Sequence, residues 1–64
     1  MIDKTLAERI YRFFVLYDPF SYWGYSMSDA VESIQKMPPA KMIKILRSYY
    51  DPEVPALIRD LETI

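Results

Sequence analysis

This 64-residue sequence contains no cysteine, no histidine and one glycine. Without cysteine the chain cannot form a disulfide, a thiolate nucleophile or a cysteine-ligated zinc site. Without histidine it lacks the most frequent general base and the most frequent metal ligand of proteins. One glycine cannot supply a phosphate-binding loop or a dinucleotide-binding turn, because both need several. We therefore expect neither an enzyme nor a protein that holds a metal or cofactor.

The sequence also lacks a large net charge, either positive or negative. Eight Lys and Arg residues stand against nine Asp and Glu residues, a net charge of −1. This balance argues against affinity that depends on neutralising phosphates, and it leaves little repulsion between copies of the chain. The longest apolar run, Phe13 to Tyr17, is far shorter than the roughly 18 residues that span a bilayer. With no signal-like pattern after Met1, we expect a soluble cytoplasmic protein without a membrane partner.

The size of the chain, 7.6 kDa, predicts one domain over residues 1–64. A folded chain of this mass exposes roughly 4,300 Å², so that about 60% of its unfolded surface is buried. That margin is thin for a domain without disulfides or metals. A hydrophobic content of 52% is one solution, and a partner that covers apolar surface is another.

Apolar residues recur with the period of an α-helix along most of the chain, which predicts an all-α fold. Leu6, Ile10, Phe13 and Tyr17, for example, follow spacings of three and four residues. The five prolines mark the helix boundaries, since proline suits a first helical position and disfavours helical geometry in the residue before it. The prediction is a compact bundle of three to four short helices, at about residues 3–17, 28–37, 39–50 and 54–63.

Polar residues at the boundaries predict how these helices start. Asp3 or Thr5 can accept hydrogen bonds from the free N–H groups of the first helix. Ser26 and the acidic residue three positions later resemble a capping box. Asp51 suits the start of the fourth helix, but Pro55 conflicts with a regular helix from residue 52. That helix therefore starts at Pro55 or opens with an irregular turn.

Carboxylates are the remaining candidates for catalysis or metal binding. Asp29 and Glu32 share one helix face, but paired-carboxylate catalysis needs a cleft that four short helices have little room to form. The spacing of a calcium-binding loop is absent. We assign these side chains to helix caps and solvated faces, and we expect no catalytic residue, metal ligand or cofactor.

Basic residues lie on one face of the third helix: Lys41, Lys44 and Arg47, with Lys36 just before them. Together with the second helix they could form a helix-turn-helix-like DNA-binding unit. The net negative charge, the missing turn glycine and the lack of Asn or Gln for base contacts weigh against it. The same face could instead bind an acidic patch on another protein.

Aromatic residues are concentrated in one segment, with eight of ten between Tyr11 and Tyr25. The end of the first helix is apolar all round, so that Val15 and Leu16 point away from the face that Ile10 and Phe13 define. Either the loop at residues 18–27 folds over them or they contact a partner. Trp and Tyr are enriched at binding hot spots, and an aromatic loop can serve both core and interface.

These observations predict a small non-enzymatic protein-binding module: a regulator, inhibitor or adaptor. Its partner is another protein or a second copy of itself. The alternatives are a helix-turn-helix-like DNA-binding protein that uses the basic face and a homodimeric structural protein. The predicted partner-binding residues are an apolar anchor and an orienting basic group: Val15, Leu16, Phe20, Tyr22, Trp23 and Tyr25, with Lys41, Lys44 and Arg47.

Overall fold

The computed structural model describes residues 1–17 and 26–64, which are helical with no strand in these ranges. The predicted all-α bundle of short helices is confirmed. Its four helices are α1 (Lys4–Tyr17), α2 (Met27–Lys36), α3 (Pro39–Leu46) and α4 (Glu53–Glu62). None of them is both long enough and apolar enough to cross a membrane.

Helix α1 begins at an aspartate cap. The Oδ1 atom of Asp3 accepts a hydrogen bond from the Leu6 N–H at 2.8 Å, and the Asp3 carbonyl accepts one from Ala7 at 2.9 Å. The Asp3 side chain therefore satisfies one of the free N–H groups at the start of the helix, and its carbonyl accepts the first regular helical hydrogen bond. Of the two caps that the sequence suggests, the structure uses Asp3.

Helix α2 is capped as the sequence predicts and begins one residue earlier than expected. The Ser26 hydroxyl accepts from the Asp29 N–H at 3.2 Å. On the exposed face of the helix, Lys36 and Glu32 lie one turn apart and form an ion pair, with 2.9 Å between Nζ and Oε1. The helix ends at Lys36, one residue before the predicted end, and Met37 follows with the extended backbone that a following proline favours.

Helix α3 ends four residues before the predicted boundary at residue 50. After Leu46 the Ser48 N–H bonds to the Ile45 carbonyl at 3.1 Å and the Tyr49 N–H bonds to the Leu46 carbonyl at 3.0 Å. The Ser48 hydroxyl also donates to the Ile45 carbonyl, at 2.7 Å. Hydrogen bonds between residues three positions apart, as in a 3₁₀-helix, tighten the final turn and end the helix. Tyr49 then packs against the core, whereas Tyr50 is fully exposed.

Helix α4 opens with the irregular turn that Pro55 requires. The Asp51 Oδ1 atom accepts from the Glu53 N–H at 2.9 Å, and its carbonyl accepts from Val54 at 3.0 Å. Pro55 then occupies the first turn, where a missing N–H leaves no helical hydrogen bond unmade. The conflict seen in the sequence is resolved by a short turn between Asp51 and Val54.

Helix α1 is the central element of the bundle, since it packs against both α2 and α4 while α3 packs against α4. The described core contains no buried polar or charged side chain. The radius of gyration, 10.7 Å, equals the value of about 10.7 Å expected of a compact chain of this length. The accessible surface is 4397 Å². The main core cluster is Ile2, Leu6, Ala7, Ile10, Phe13, Phe14, Val31, Ile34, Met42, Leu46, Val54, Leu57 and Leu61.

One arginine joins α1 to α4 across the edge of this core. Arg9 donates from Nη1 to the Asp60 Oδ2 atom at 2.5 Å, and its Nη2 lies 3.7 Å from the Glu53 Oε1 atom. The hydrogen bond with Asp60 raises the pKa of Arg9 above its usual value. All three side chains are more than a third exposed, so solvent screens the attraction and the network contributes at most about 1 kcal/mol.

We predict that Arg9→Met lowers the free energy of unfolding by up to about 1 kcal/mol, because it removes both ion pairs. Urea denaturation at low protein concentration measures the change, which should shrink as salt is added. Arg12→Met is the matched control. It removes an arginine one turn away that has no ion pair among the described residues. Equal losses in the two variants would contradict a structural role for Arg9.

Candidate interaction surface

The last turn of α1 has a buried side and an exposed side. Phe13 and Phe14 are each 3% exposed, whereas Val15, Leu16 and Tyr17 are 45%, 78% and 54% exposed. Val15 and Leu16 lie outside the core, as the helical period predicts. The core residues hold the backbone in place, so these exposed side chains sit on a rigid helix.

Four of the described aromatic residues, Phe13, Phe14, Tyr17 and Tyr49, form a cluster at the edge of the core. The ring of Tyr49 meets Phe13 and Phe14 edge-on, with centroid distances of 5.5 and 5.6 Å. Tyr17 stacks on Phe13 at 4.9 Å. These are favourable geometries for aromatic pairs. The cluster connects the end of α1 to the segment between α3 and α4, and part of the aromatic surplus is therefore structural.

A hydroxyl group adds a polar link at the same place. The hydrogen bond between the Tyr17 hydroxyl and the Asp51 carboxylate is the main reason that the pKa of Tyr17 lies above its usual value of 10.0. Asp51 also accepts from the Glu53 N–H. One carboxylate thus joins the end of α1 to the start of α4.

A groove of about 330 Å³ lies between the second half of α1 and the start of α4. It has an apolar wall that includes the exposed Leu16, and its remaining residues carry charges of both signs. Its lining residues are Arg9, Arg12, Phe13, Leu16, Tyr17, Asp51 and Glu53. We refer to this set, together with Val15, as the Leu16 surface.

The charged groups of the Leu16 surface differ in the hydrogen bonds and ion pairs that they form within the chain. Arg9 bonds to Asp60 and lies near Glu53, and Asp51 bonds to Tyr17 and to the backbone of α4. Arg12 is exposed. Within residues 1–17 and 26–64 no carboxylate oxygen lies within 4.0 Å of its guanidinium nitrogens. Among the described residues, Arg12 is therefore the guanidinium of this surface that no carboxylate neutralises.

The basic residues of the predicted site lie on a separate surface. Lys41 and Lys44 are exposed on α3, and Arg47 is exposed where that helix ends. None of the three lines the groove beside Leu16. Lys36, which precedes them, pairs with Glu32. The basic face of α3 is therefore exposed, and it is separate from the Leu16 surface.

The other four predicted anchor residues, Phe20, Tyr22, Trp23 and Tyr25, lie outside the described residues. Their assignment to the interface stays a prediction.

Another groove, of about 600 Å³, lies between α1 and α2 and contains none of the predicted site residues. Lys4, Glu8 and Glu32 contribute to its rim, and Val31, which is buried, belongs to its floor. In the part of the chain that the structure describes, no group of three or more acidic side chains could hold a metal ion.

Comparison of the chain with protein-family models, with curated proteins and with solved structures finds no match. A function must therefore be argued from the residues of the Leu16 surface and of the basic face.

We predict that Asp51→Asn moves the pKa of Tyr17 back towards 10. The asparagine oxygen can still cap α4, but the negative charge and the strong acceptor are removed. Because the pKa of Tyr17 is raised on folding, its hydrogen bond stabilises the protein below pH 10 and is lost as the pH rises through the raised value. Phenolate absorbance, compared between each protein and its Tyr17→Phe counterpart, isolates this one tyrosine. An unchanged pKa in Asp51→Asn would contradict the assigned partner.

Proposed function

We propose that this chain is a small non-enzymatic protein-binding module, a cytoplasmic regulator, inhibitor or adaptor, that uses the Leu16 surface to contact its partner. The exposure of Leu16 carries the proposal. A leucine that is 78% exposed gains about 1.5–3 kcal/mol when a partner covers it completely. Val15 and Tyr17 extend the apolar area on the same turn of α1.

The rigidity of α1 supports this use of the surface. Phe13 and Phe14 of the same turn are buried in the core, so little backbone ordering is needed when Leu16 is covered. Binding then loses less conformational entropy than binding by a disordered segment. The predicted loop anchors, Phe20, Tyr22, Trp23 and Tyr25, belong to the same proposal.

The basic face supports a role in orienting the partner. Residues 37–50 contain three basic residues and no acidic residue, and the exposed ammonium and guanidinium groups of Lys41, Lys44 and Arg47 lie together on this segment. Such a field accelerates the approach of an acidic protein surface and contributes less to the final affinity.

The same three cations are the observation that favours the alternative, binding of duplex DNA by α3. Helix packing favours the protein partner. In a helix-turn-helix unit the first helix supports the recognition helix, whereas α3 here packs mainly against α4 and makes little contact with α2. Three phosphate contacts, set against a net charge of −1, supply little of the affinity of a DNA-binding protein.

The proposal is tested by Leu16→Glu, with Ile64→Glu as the matched control. Both changes place a carboxylate at an exposed apolar position, since Ile64 is 56% exposed, but Ile64 does not line the groove beside Leu16. Tagged wild-type and variant proteins are incubated with a lysate of the source cells, and the retained proteins are compared by mass spectrometry. We expect a protein retained by the wild type and by Ile64→Glu to be lost from Leu16→Glu.

Circular dichroism decides whether such a loss is specific. Leu16→Glu should keep the helical signal of the wild type, because the side chain is outside the core. Retention of the same proteins by Leu16→Glu would contradict the proposal, and so would unfolding of that variant.

A further inference from the structure

The charge pattern of the Leu16 surface identifies the kind of partner that fits it. Two of its residues are cations, Arg9 and Arg12, and two are anions, Asp51 and Glu53. A purely acidic or purely basic partner would meet repulsion on one side of the groove. A complementary partner therefore carries charges of both signs around an apolar centre.

Helix geometry orders these charges across the surface. At about 100° per residue, Leu16 projects between Arg12 and Arg9 around the axis of α1. Arg9 is on the side that faces α4, where its Nη2 atom lies 3.7 Å from the Glu53 Oε1 atom. The order across the surface is therefore Arg12, then Leu16, then an edge of net negative charge. On that edge Arg9 pairs with Glu53 and Asp60, and Asp51 adds a further carboxylate.

This order is complementary to itself under a two-fold rotation. A rotation about an axis that passes by Leu16 and runs parallel to α1 exchanges these two edges. Arg12 of one copy then faces the net negative edge of the other, where Arg9 is already paired with Asp60. Isologous interfaces have this property. We propose that the Leu16 surface binds a second copy of this chain, with Leu16 against Leu16 and Arg12 against Glu53 of the second copy. The inference rests on the proposed function, because it names the partner of the same surface.

The contacts already made within the chain are compatible with this dimer. Arg12 has no ion pair among the described residues, so pairing it breaks none of those contacts. Glu53 is only loosely held at 3.7 Å from Arg9, and Arg9 keeps its bond to Asp60. The net charge of −1 adds little long-range repulsion between copies.

The available area indicates a weak dimer. A standard interface buries about 800 Å² on each partner, which is nearly a fifth of the 4397 Å² surface of this chain. The apolar part of the Leu16 surface is a single helical turn. We therefore expect a dissociation constant in the range from about 1 µM to about 1 mM.

Sedimentation equilibrium and concentration-dependent NMR shifts over this range test the inference on the purified chain. We expect the wild type to dimerise, and Arg12→Glu and Glu53→Arg each to weaken dimerisation by about tenfold or more, because each creates two like-charge contacts. An equimolar mixture of the two variants should recover association, since one native and one reversed ion pair then form. Arg59→Glu and Glu62→Arg make the same changes of net charge at exposed positions outside the groove, and they should dimerise like the wild type.

Three results would overturn the inference: a wild type that is monomeric throughout, a dimer that Arg12→Glu leaves unchanged, or a mixture that does not recover. Failure of the dimer is distinguishable from failure of the proposed function. If the wild type is monomeric but the Leu16→Glu change still abolishes capture of another protein, the Leu16 surface remains a binding site for that protein. A dimer that persists in Leu16→Glu uses a different surface.

Discussion

The structure depends on the burial of one face of α1. This helix contacts both α2 and α4, and Ile10, Phe13 and Phe14 on that face are at most 3% exposed. The face is too narrow to include the whole last turn, because Phe13 to Tyr17 is apolar on every side. Rotating α1 to bury Leu16 would expose Phe14, which lies on the opposite side of the helix. Packing in the core and exposure of Leu16 are therefore two consequences of the same constraint.

Much of the fold could be predicted from local patterns. The spacing of apolar residues by three and four positions located the helices. The residue types at Ser26 and Asp51 predicted that these side chains accept hydrogen bonds at the starts of α2 and α4. The end of α3 could not be located in this way, because Tyr49 continues the helical period. Its ring instead packs on Phe13 and Phe14, residues more than thirty positions away. A tertiary contact and the Ser48 bonds to Ile45 end the helix where periodicity alone would extend it.

The candidate surface was predictable only in its apolar part. Helical period alone indicates that Val15 and Leu16 face away from the core. The charges beside them come from two segments about forty residues apart, and no local pattern places Asp51 and Glu53 next to α1. The distinction between Arg9 and Arg12 is also a property of the fold, since it depends on which of them reaches Asp60. The basic face of α3 was predicted as a group, but its separation from Leu16 required the packing of α3 on α4.

The central claim is that the last turn of α1 is structural on one side and available for binding on the other. The unfolding free energies of Phe13→Ala and Leu16→Ala, measured by urea denaturation at low protein concentration, test it most directly. We predict a loss of about 3–5 kcal/mol for Phe13→Ala, enough to leave little folded protein in so small a domain. The change for Leu16→Ala should stay within about 0.5 kcal/mol. A loss for Leu16→Ala as large as that for Phe13→Ala would place Leu16 in the core and contradict the account.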